Sequence, residues 1–124
     1  MDVLHTAVWV SDLESQLAFY TEVLDLEQSR QFTGDDGVLN TYVQGAGPAE
    51  IQFKSRPEEP VSVSPSGIDH LAVKVDDVDA TIETAVADWD SEVTGEPKVL
   101  EDKSIRIAFI TDPNDYVVEL IEDV

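Results

Sequence analysis

A near repeat of nine residues limits the folds that this 124-residue chain can adopt. The segment HTAVWVSDL, residues 5–13, returns as HLAVKVDDV, residues 70–78, after an offset of 65 residues. Each copy joins an alternating, β-branched run to an aspartate placed where a helix would begin. The chain has only two histidines, and each copy begins with one of them. The repeat therefore predicts two copies of one supersecondary unit, each a strand that leads into a helix.

Turn signals and alternating runs extend both copies into the same order of elements, βαβββ. We place module 1 at residues 1–55, a linker with three prolines at 56–66 and module 2 at 67–124. A chain of this length is too short for two independent cores, so we expect a single domain. The predicted fold class is α+β, with paired βαβββ modules forming a curved mixed sheet around a metal cleft and the helices outside.

Helical spacing of apolar residues predicts one helix after Asp12 and another after Asp77. In the first helix Gln16 is expected on the outer face. The residues expected to face inward are Leu13, Leu17, Tyr20 and Leu24 in the first helix and Val78, Ile82, Val86 and Trp89 in the second. In module 2 we predict one strand over residues 67–75 and a short one over 97–100.

The charge of the chain excludes several classes of partner. It has 27 acidic and 7 basic residues, a formal net charge of −20, and no cysteine. So few cations could not neutralise a run of nucleic-acid phosphates, and without cysteine there are no disulfides or thiolate metal sites. The acids are scattered, as on solvated faces, and at this density they indicate adaptation to high salt. No leader or membrane-spanning run is evident, so we expect a cytoplasmic protein with no membrane contact.

Strand alternation places His5 and Trp9 on one face of the first strand, and the repeat places His70 and Lys74 likewise. The closing strand of each module carries one polar residue between apolar neighbours. These two residues are Gln52 and Glu119, which lie 67 residues apart.

Each module thus offers one imidazole nitrogen and one side-chain oxygen. The set His5, Gln52, His70 and Glu119 is of the kind that binds one divalent metal ion, whether Zn²⁺, Ni²⁺, Co²⁺, Mn²⁺ or Fe²⁺. The sequence does not choose among these metals, and it leaves open whether the paired modules come from one chain or from two.

Four stretches of the chain carry a family resemblance. They are VLHTAVWVSDL at 3–13, FYTEVL at 19–24, GIDHLAV at 67–73 and DPNDYVVELI at 112–121. Together they resemble the vicinal oxygen chelate superfamily and, within it, glyoxalase I, the lactoylglutathione lyase. The resemblance implies paired βαβββ modules, a metal held by His5, Gln52, His70 and Glu119, and frequently a homodimer.

A glyoxalase-like reaction would convert the hemithioacetal of methylglyoxal and a thiol into a 2-hydroxyacyl thioester. The resemblance implies that the metal acts as a Lewis acid and that Glu119 is the catalytic base. In many bacterial glyoxalases the position of Gln52 is a glutamate. The glutamine leaves this chain with one catalytic carboxylate instead of two.

A second departure concerns the substrate. Glyoxalases of this type commonly place an arginine four residues after the first ligand and an asparagine four after the second, both of which hold glutathione. Trp9 and Arg56 occupy these positions here. We therefore expect another thiol or an unrelated small molecule, contacted by Trp9, Arg56 and Lys74.

Three other activities are compatible with the same residues. An extradiol-type dioxygenase would bind Fe²⁺ through His5, His70 and Glu119, with Gln52 unbound. An epimerase acting on a coenzyme A ester has a similar ligand set, although this chain has few cations for its phosphates. A bleomycin-resistance-like binding protein would need no metal.

Overall fold

The chain divides into two compact units that repeat one order of secondary structure. A computed structural model describes all residues, 1–124, and separates residues 1–63 from residues 64–124 at a point inside the predicted linker. Unit 1 contains β1 (His5–Trp9), α1 (Leu13–Ala18), a π-helical turn (Phe19–Val23), β2 (Glu27–Thr33), β3 (Leu39–Gln44) and β4 (Glu50–Ser55). Unit 2 contains β5 (Leu71–Lys74), α2 (Val78–Trp89), β6 (Val93–Leu100), a 3₁₀ turn (Glu101–Lys103), β7 (Ile105–Thr111) and β8 (Val117–Asp123).

Each unit forms a four-stranded mixed sheet with the same topology. The strand order is β1-β4-β3-β2 in unit 1 and β5-β8-β7-β6 in unit 2. The first and last strands of each unit pair in parallel, and the remaining pairs are antiparallel. The α+β class and the two βαβββ modules predicted from the repeat are confirmed. Neither α1 nor α2 has the length and apolar composition of a membrane-spanning helix.

Aspartates cap both helices, as the repeat predicts. The Asp12 carboxylate accepts a hydrogen bond from the backbone N–H of Ser15, and Asp77 accepts one from Ala80. Each bond satisfies an N–H that the first helical turn leaves without a partner. The side-chain hydrogen bond from Ser15 holds the pKa of Asp12 below its ordinary value.

The apolar stripes of the helices differ from those predicted. Tyr20 and Leu24 are buried as predicted, but Gln16 is fully buried and not on the outer face. It lies three and four residues before the buried Phe19 and Tyr20, so the three side chains share one helical stripe. In α2 the buried positions are Val78 and Ala85, whereas Val86 is 43% exposed and its predicted inward position is wrong. A stripe through positions 78, 82, 85 and 89 leaves 86 on the solvent side.

Two predicted strands differ in length from the observed ones. The strand predicted over 67–75 begins only at Leu71, where parallel pairing with Val118 starts. Gly67 has a φ of +81°, a left-handed conformation that an extended strand cannot continue through. The strand predicted over 97–100 is longer than expected and spans Val93–Leu100, with irregular pairing on either side of Gly95.

Candidate functional site

In unit 1, β1 turns His5 and Trp9 toward the open face of its sheet. The alternation is visible in burial, since Val8 and Val10 are buried while His5 is exposed and Trp9 is 36% exposed. The His5 ring meets Tyr42 of β3 edge to face, with centroids 5.6 Å apart and planes at 86°. Such contacts contribute about 0.5–1.5 kcal/mol and orient the ring.

Gln52 lies on the same face as His5, next to β1. Its Cα is paired with Ala7 on one side and with Tyr42 on the other. The residue is 7% exposed, and its Nε2 donates to Asn40 Oδ1 at 2.8 Å. Asn40 in turn donates through Nδ2 to the Val38 carbonyl at 3.1 Å, which identifies Oδ1 as the acceptor. This chain of bonds fixes the amide of Gln52 and leaves its Oε1 as the atom that can act as a ligand.

The indole of Trp9 contacts two cations. Lys54 Nζ lies 5.5 Å from the ring centroid and Arg56 Cζ lies 5.4 Å from it. Lys54 also donates to Asn40 Oδ1 at 3.1 Å, and Arg56 donates to the Asp36 carbonyl at 3.2 Å. Two of the three predicted substrate-binding residues, Trp9 and Arg56, are therefore in contact with each other.

In unit 2, His70 immediately precedes β5 and is held at both ring nitrogens. Nδ1 lies 2.7 Å from Asp69 Oδ2, and Nε2 lies 3.4 Å from Glu119 Oε1. The Asp69 carboxylate can accept an N–H from Nδ1, and in that tautomer the lone pair of the ring lies on Nε2. The side chains of His70 and Glu119 are 34% and 17% exposed, so both remain accessible to a small ligand.

The structure adds one aromatic neighbour for each histidine, Tyr42 for His5 and Phe109 for His70, and neither was among the site residues predicted from the sequence. Phe109 of β7 contacts the His70 ring edge to face at 5.5 Å, as Tyr42 contacts His5. Phe109 is paired across the sheet with Glu119, as Tyr42 is with Gln52. A signal for both exists in the sequence, because each aromatic residue precedes its module's predicted oxygen ligand by 10 positions.

Lys74, the third predicted substrate-binding residue, is engaged with a carboxylate. Its Nζ lies 2.6 Å from Asp123 Oδ2, and both side chains are largely exposed, at 72% and 68%. The hydrogen bond to Asp123, followed by the charge of that carboxylate, raises the pKa of Lys74 above its ordinary value. An exposed pair of this kind is worth little to stability.

The donor atoms of His70 and Glu119 are spaced as two ligands of one divalent metal would be. Bond lengths of about 2.0–2.2 Å to nitrogen and oxygen place two donors about 2.9–3.4 Å apart on one ion. The 3.4 Å between His70 Nε2 and Glu119 Oε1 lies within that range. Neither unit gathers three histidine, aspartate or glutamate side chains where they could hold a metal. In unit 2, His70 and Glu119 lie side by side, and in unit 1, His5 and Gln52 are both neighbours of Tyr42.

The fold defines a class of protein. Residues 2–120 match the Glyoxalase/Bleomycin resistance protein/Dioxygenase superfamily, and the chain belongs to that superfamily. The resemblance seen in the sequence is thereby confirmed.

Particular relatives are lactoylglutathione lyases. The enzyme of Haemophilus influenzae is 32% identical over 127 residues, which cover 99% of this chain and 93% of the relative. A probable lactoylglutathione lyase of Synechocystis sp. is 29% identical, covering 98% and 95%. The crystal structure of glyoxalase I from Zea mays has a TM-score of 0.81 at 27% identity, and the match spans 98% of this chain but 44% of the maize chain.

Proposed function

We propose that this protein is a divalent-metal-dependent enzyme of the glyoxalase I type, which isomerises the hemithioacetal of methylglyoxal and a thiol to a 2-hydroxyacyl thioester. The observation that carries the proposal is the His70–Glu119 pair, with Nε2 and Oε1 3.4 Å apart and Nδ1 engaged by Asp69. Lactoylglutathione lyases at about 30% identity over nearly the whole chain support it.

In this proposal one metal ion is held by four side chains, two from each module. His70 and Glu119 supply one pair, and His5 and Gln52 supply the other. Since each module holds half of the set, we propose that residues 1–124 act as a single domain. The modules pair within one chain or between two chains of a cytoplasmic homodimer. The metal, when bound, would polarise the two neighbouring oxygens of the substrate as a Lewis acid.

Glu119 is proposed as the catalytic base. Its carboxylate takes the proton from the carbon that bears the sulfur and hydroxyl, and returns it to the adjacent carbon. The proton of the hydroxyl passes from the first oxygen to the second, so the product is an isomer of the substrate. Gln52 cannot share this task because an amide is not a base at neutral pH. One carboxylate therefore performs both proton transfers.

Trp9, Arg56 and Lys74 are proposed to contact the substrate. The support differs among them. Arg56 Cζ lies 5.4 Å from the centroid of the Trp9 ring, so these two residues are in contact, whereas Lys74 is paired with Asp123. We therefore expect substitutions of Trp9 or Arg56 to change the Michaelis constant for the thiol adduct more than a substitution of Lys74.

The test combines metal analysis with an isomerase assay on methylglyoxal and a series of thiols in high salt. We expect one equivalent of metal per site, and we expect Glu119→Gln and His70→Ala to lower kcat at least 100-fold. Glu83→Gln, on the exposed side of α2, is the matched control. Full activity in Glu119→Gln would refute the assignment of the base.

The same preparation separates the other activities. Iron with turnover of a catechol would identify a dioxygenase, and turnover of a 2-methyl-branched coenzyme A ester would identify an epimerase. Absence of stoichiometric metal, together with tight binding of an unchanged small molecule, would identify a binding protein.

A further inference from the structure

The two histidines are held in different ways. His70 has a carboxylate beside each ring nitrogen, Asp69 at 2.7 Å and Glu119 at 3.4 Å. The side chain of His5 makes no hydrogen bond or ion pair within the chain, and its ring contact with Tyr42 is the interaction that restricts it. The second N–H of a metal-binding histidine usually has a partner that fixes the plane of the ring. For His5, the Tyr42 contact is what the chain offers in its place.

Three residues bind to one another around the Tyr42 ring, which is 4% exposed. The guanidinium of Arg30 lies over the ring, with Cζ 4.0 Å from the centroid. Arg30 Nη2 donates to Glu50 Oε1 at 3.3 Å, and Ser29 Oγ donates to Glu50 Oε2 at 2.6 Å. We call Ser29, Arg30 and Glu50 the Glu50 cluster. The guanidinium is thus held by a carboxylate on one side and by the ring on the other.

An irregularity in β2 brings the cluster together. Gln28 pairs with Val43 and Arg30 pairs with Tyr42, while Ser29 between them is left out of the pairing. Adjacent residues of β3 lie on opposite faces of the sheet, whereas positions 28 and 30 of a regular strand would share one face. The extra residue is a β-bulge, and it turns Arg30 onto the face of Tyr42. Bulges of this kind re-aim side chains and are frequent beside functional sites.

The cluster reaches across one strand of the sheet. β3 lies between β2 and β4, so Ser29 and Arg30 of β2 contact Glu50 of β4 over the strand that carries Tyr42. Glu50 is also the cross-strand partner of His5 in the parallel pair of β1 and β4. Paired residues project from the same face of a sheet. The cluster therefore lies on the face of His5 and at its level along the strands.

Glu50 is an anchor and not a free carboxylate. It precedes Gln52 by two positions on the same face of β4, where a second base or ligand could be sought. Both of its oxygens accept hydrogen bonds, one from Ser29 and one from Arg30, and its side chain is only 16% exposed. This arrangement fixes the guanidinium and leaves neither oxygen available to a substrate.

We propose that Ser29, Arg30 and Glu50 are positioning residues for His5 that act through the ring of Tyr42. Arg30 restrains the Tyr42 ring from its face, and the ring restrains His5 through a contact at 86°. The effect of the cluster on the His5 ring follows from these contacts alone. Its effect on metal affinity rests on the proposed function, in which His5 is a ligand.

The orientation of His5 can be measured without metal. The chain has two histidines, so the ring signals of each can be resolved in a ¹H–¹³C correlation spectrum and assigned with His5→Gln. Tyr42→Leu removes the neighbouring ring and gives the signals of an unrestrained His5. We expect Arg30→Gln to move the His5 signals toward those positions and to leave the His70 signals in place. Arg30→Lys keeps a cation over the ring and should restore most of the His5 shift.

Controls separate positioning from folding. Lys98→Gln makes the same change in net charge at an exposed position of β6 and should leave both histidines unchanged. Glu50→Gln and Ser29→Ala weaken the anchor of the guanidinium, and both should move the His5 signals in the direction seen in Arg30→Gln. Ser29→Ala provides this test if Glu50→Gln does not fold. His5 signals that stay in place in Arg30→Gln, or His70 signals that move with them, would overturn the proposal.

Calorimetric titration with Zn²⁺ tests the consequence for the proposed metal site. Arg30→Gln should weaken Zn²⁺ binding about tenfold, as changes in the outer shell of a metal site do. In the His5→Ala background the same substitution should cause no further loss, because the cluster acts through His5. An equal loss in both backgrounds would refute that action. If His5→Ala itself leaves Zn²⁺ affinity unchanged while Arg30→Gln moves the His5 signals, His5 is not a ligand and the positioning stands.

Discussion

The substitution Gly95→Ala tests whether Phe109 holds His70 in place. A Cβ added at Gly95 of β6 would lie 2.7 Å from Phe109 Cδ2 and 3.2 and 3.3 Å from its Cβ and Cγ. Carbon atoms prefer to be about 3.5–4.0 Å apart, so the ring must move by about 1 Å. Rotation of the Phe109 ring alone cannot relieve this overlap, because the added Cβ is also too close to Phe109 Cβ, which does not move with the ring. The edge-to-face contact of Phe109 with His70, now at 5.5 Å, would be altered by that movement.

Two quantities are expected to change together. Overpacking of this kind costs about 1–3 kcal/mol, and for a chain of this length each kcal/mol lowers Tm by about 3–6 °C. Loss of ligand orientation lowers metal affinity about tenfold, at the lower end of what outer-shell changes produce. Thermal denaturation of the metal-free protein measures the first quantity, and calorimetric titration with Zn²⁺ measures the second.

Gly47→Ala is the matched control because, beyond the adjacent residues of the chain, no atom lies within 4 Å of the Cβ it would add. We expect its Tm to be unchanged or to rise slightly, since alanine reduces the entropy of the unfolded chain. The double substitution Gly95→Ala with Phe109→Leu should recover part of the stability but not the metal affinity. An unchanged Tm and an unchanged affinity in Gly95→Ala would show that Phe109 does not position His70.

Three further outcomes are expected. Asp69→Asn should lower Zn²⁺ affinity about 10- to 100-fold, because the Asp69 carboxylate orients the His70 ring through Nδ1. The control Asp76→Asn changes an exposed aspartate and should leave the affinity unchanged. Equal affinities in the two variants would contradict the role of Asp69. The Tm of the unsubstituted protein should rise strongly between dilute buffer and molar potassium chloride, because salt screens the repulsion among the 27 acidic side chains. A constant Tm would be evidence against adaptation to high salt. Asp12→Ala should cost about 1 kcal/mol at pH 7, as for other helix N-caps. The hydrogen bond from Ser15 lowers the pKa of Asp12 in the folded protein, so its contribution to stability is present above the ordinary carboxyl pKa and is lost as the pH falls through the folded value. Chemical denaturation of the unsubstituted protein and of Asp12→Ala at pH 7 and pH 2 measures the difference in their free energies of unfolding. The same difference at both pH values would contradict the linkage.

Most of the fold was predictable because its signals are local and occur twice. The nine-residue repeat contains a strand, a capping aspartate and the start of a helix, and the structure contains all three in both units. The burial of Gln16 was missed because a polar side chain was assigned to the solvent face, although its spacing to Phe19 and Tyr20 places it on the buried stripe.

The residues that surround the proposed ligands were harder to predict than the proposed ligands themselves. Gln52 is recognisable as a polar residue between apolar neighbours, but Asn40 acquires its role only through the register that aligns β3 with β4. The sequence likewise does not reveal that Asp69 lies against His70, because an aspartate before a strand is common. Tyr42 and Phe109 were predictable in principle from their shared spacing to Gln52 and Glu119.

The side-chain oxygen of Asn40 joins the proposed ligand Gln52 to the cation of Lys54. Asn40 Oδ1 accepts from Gln52 Nε2 at 2.8 Å and from Lys54 Nζ at 3.1 Å. Because two donors share one acceptor, removal of the Lys54 ammonium would leave the amide of Gln52 with sole use of that oxygen. A substitution of Lys54, which is not among the proposed ligands, would thus change how tightly the Gln52 amide is held and, through it, the affinity for a metal.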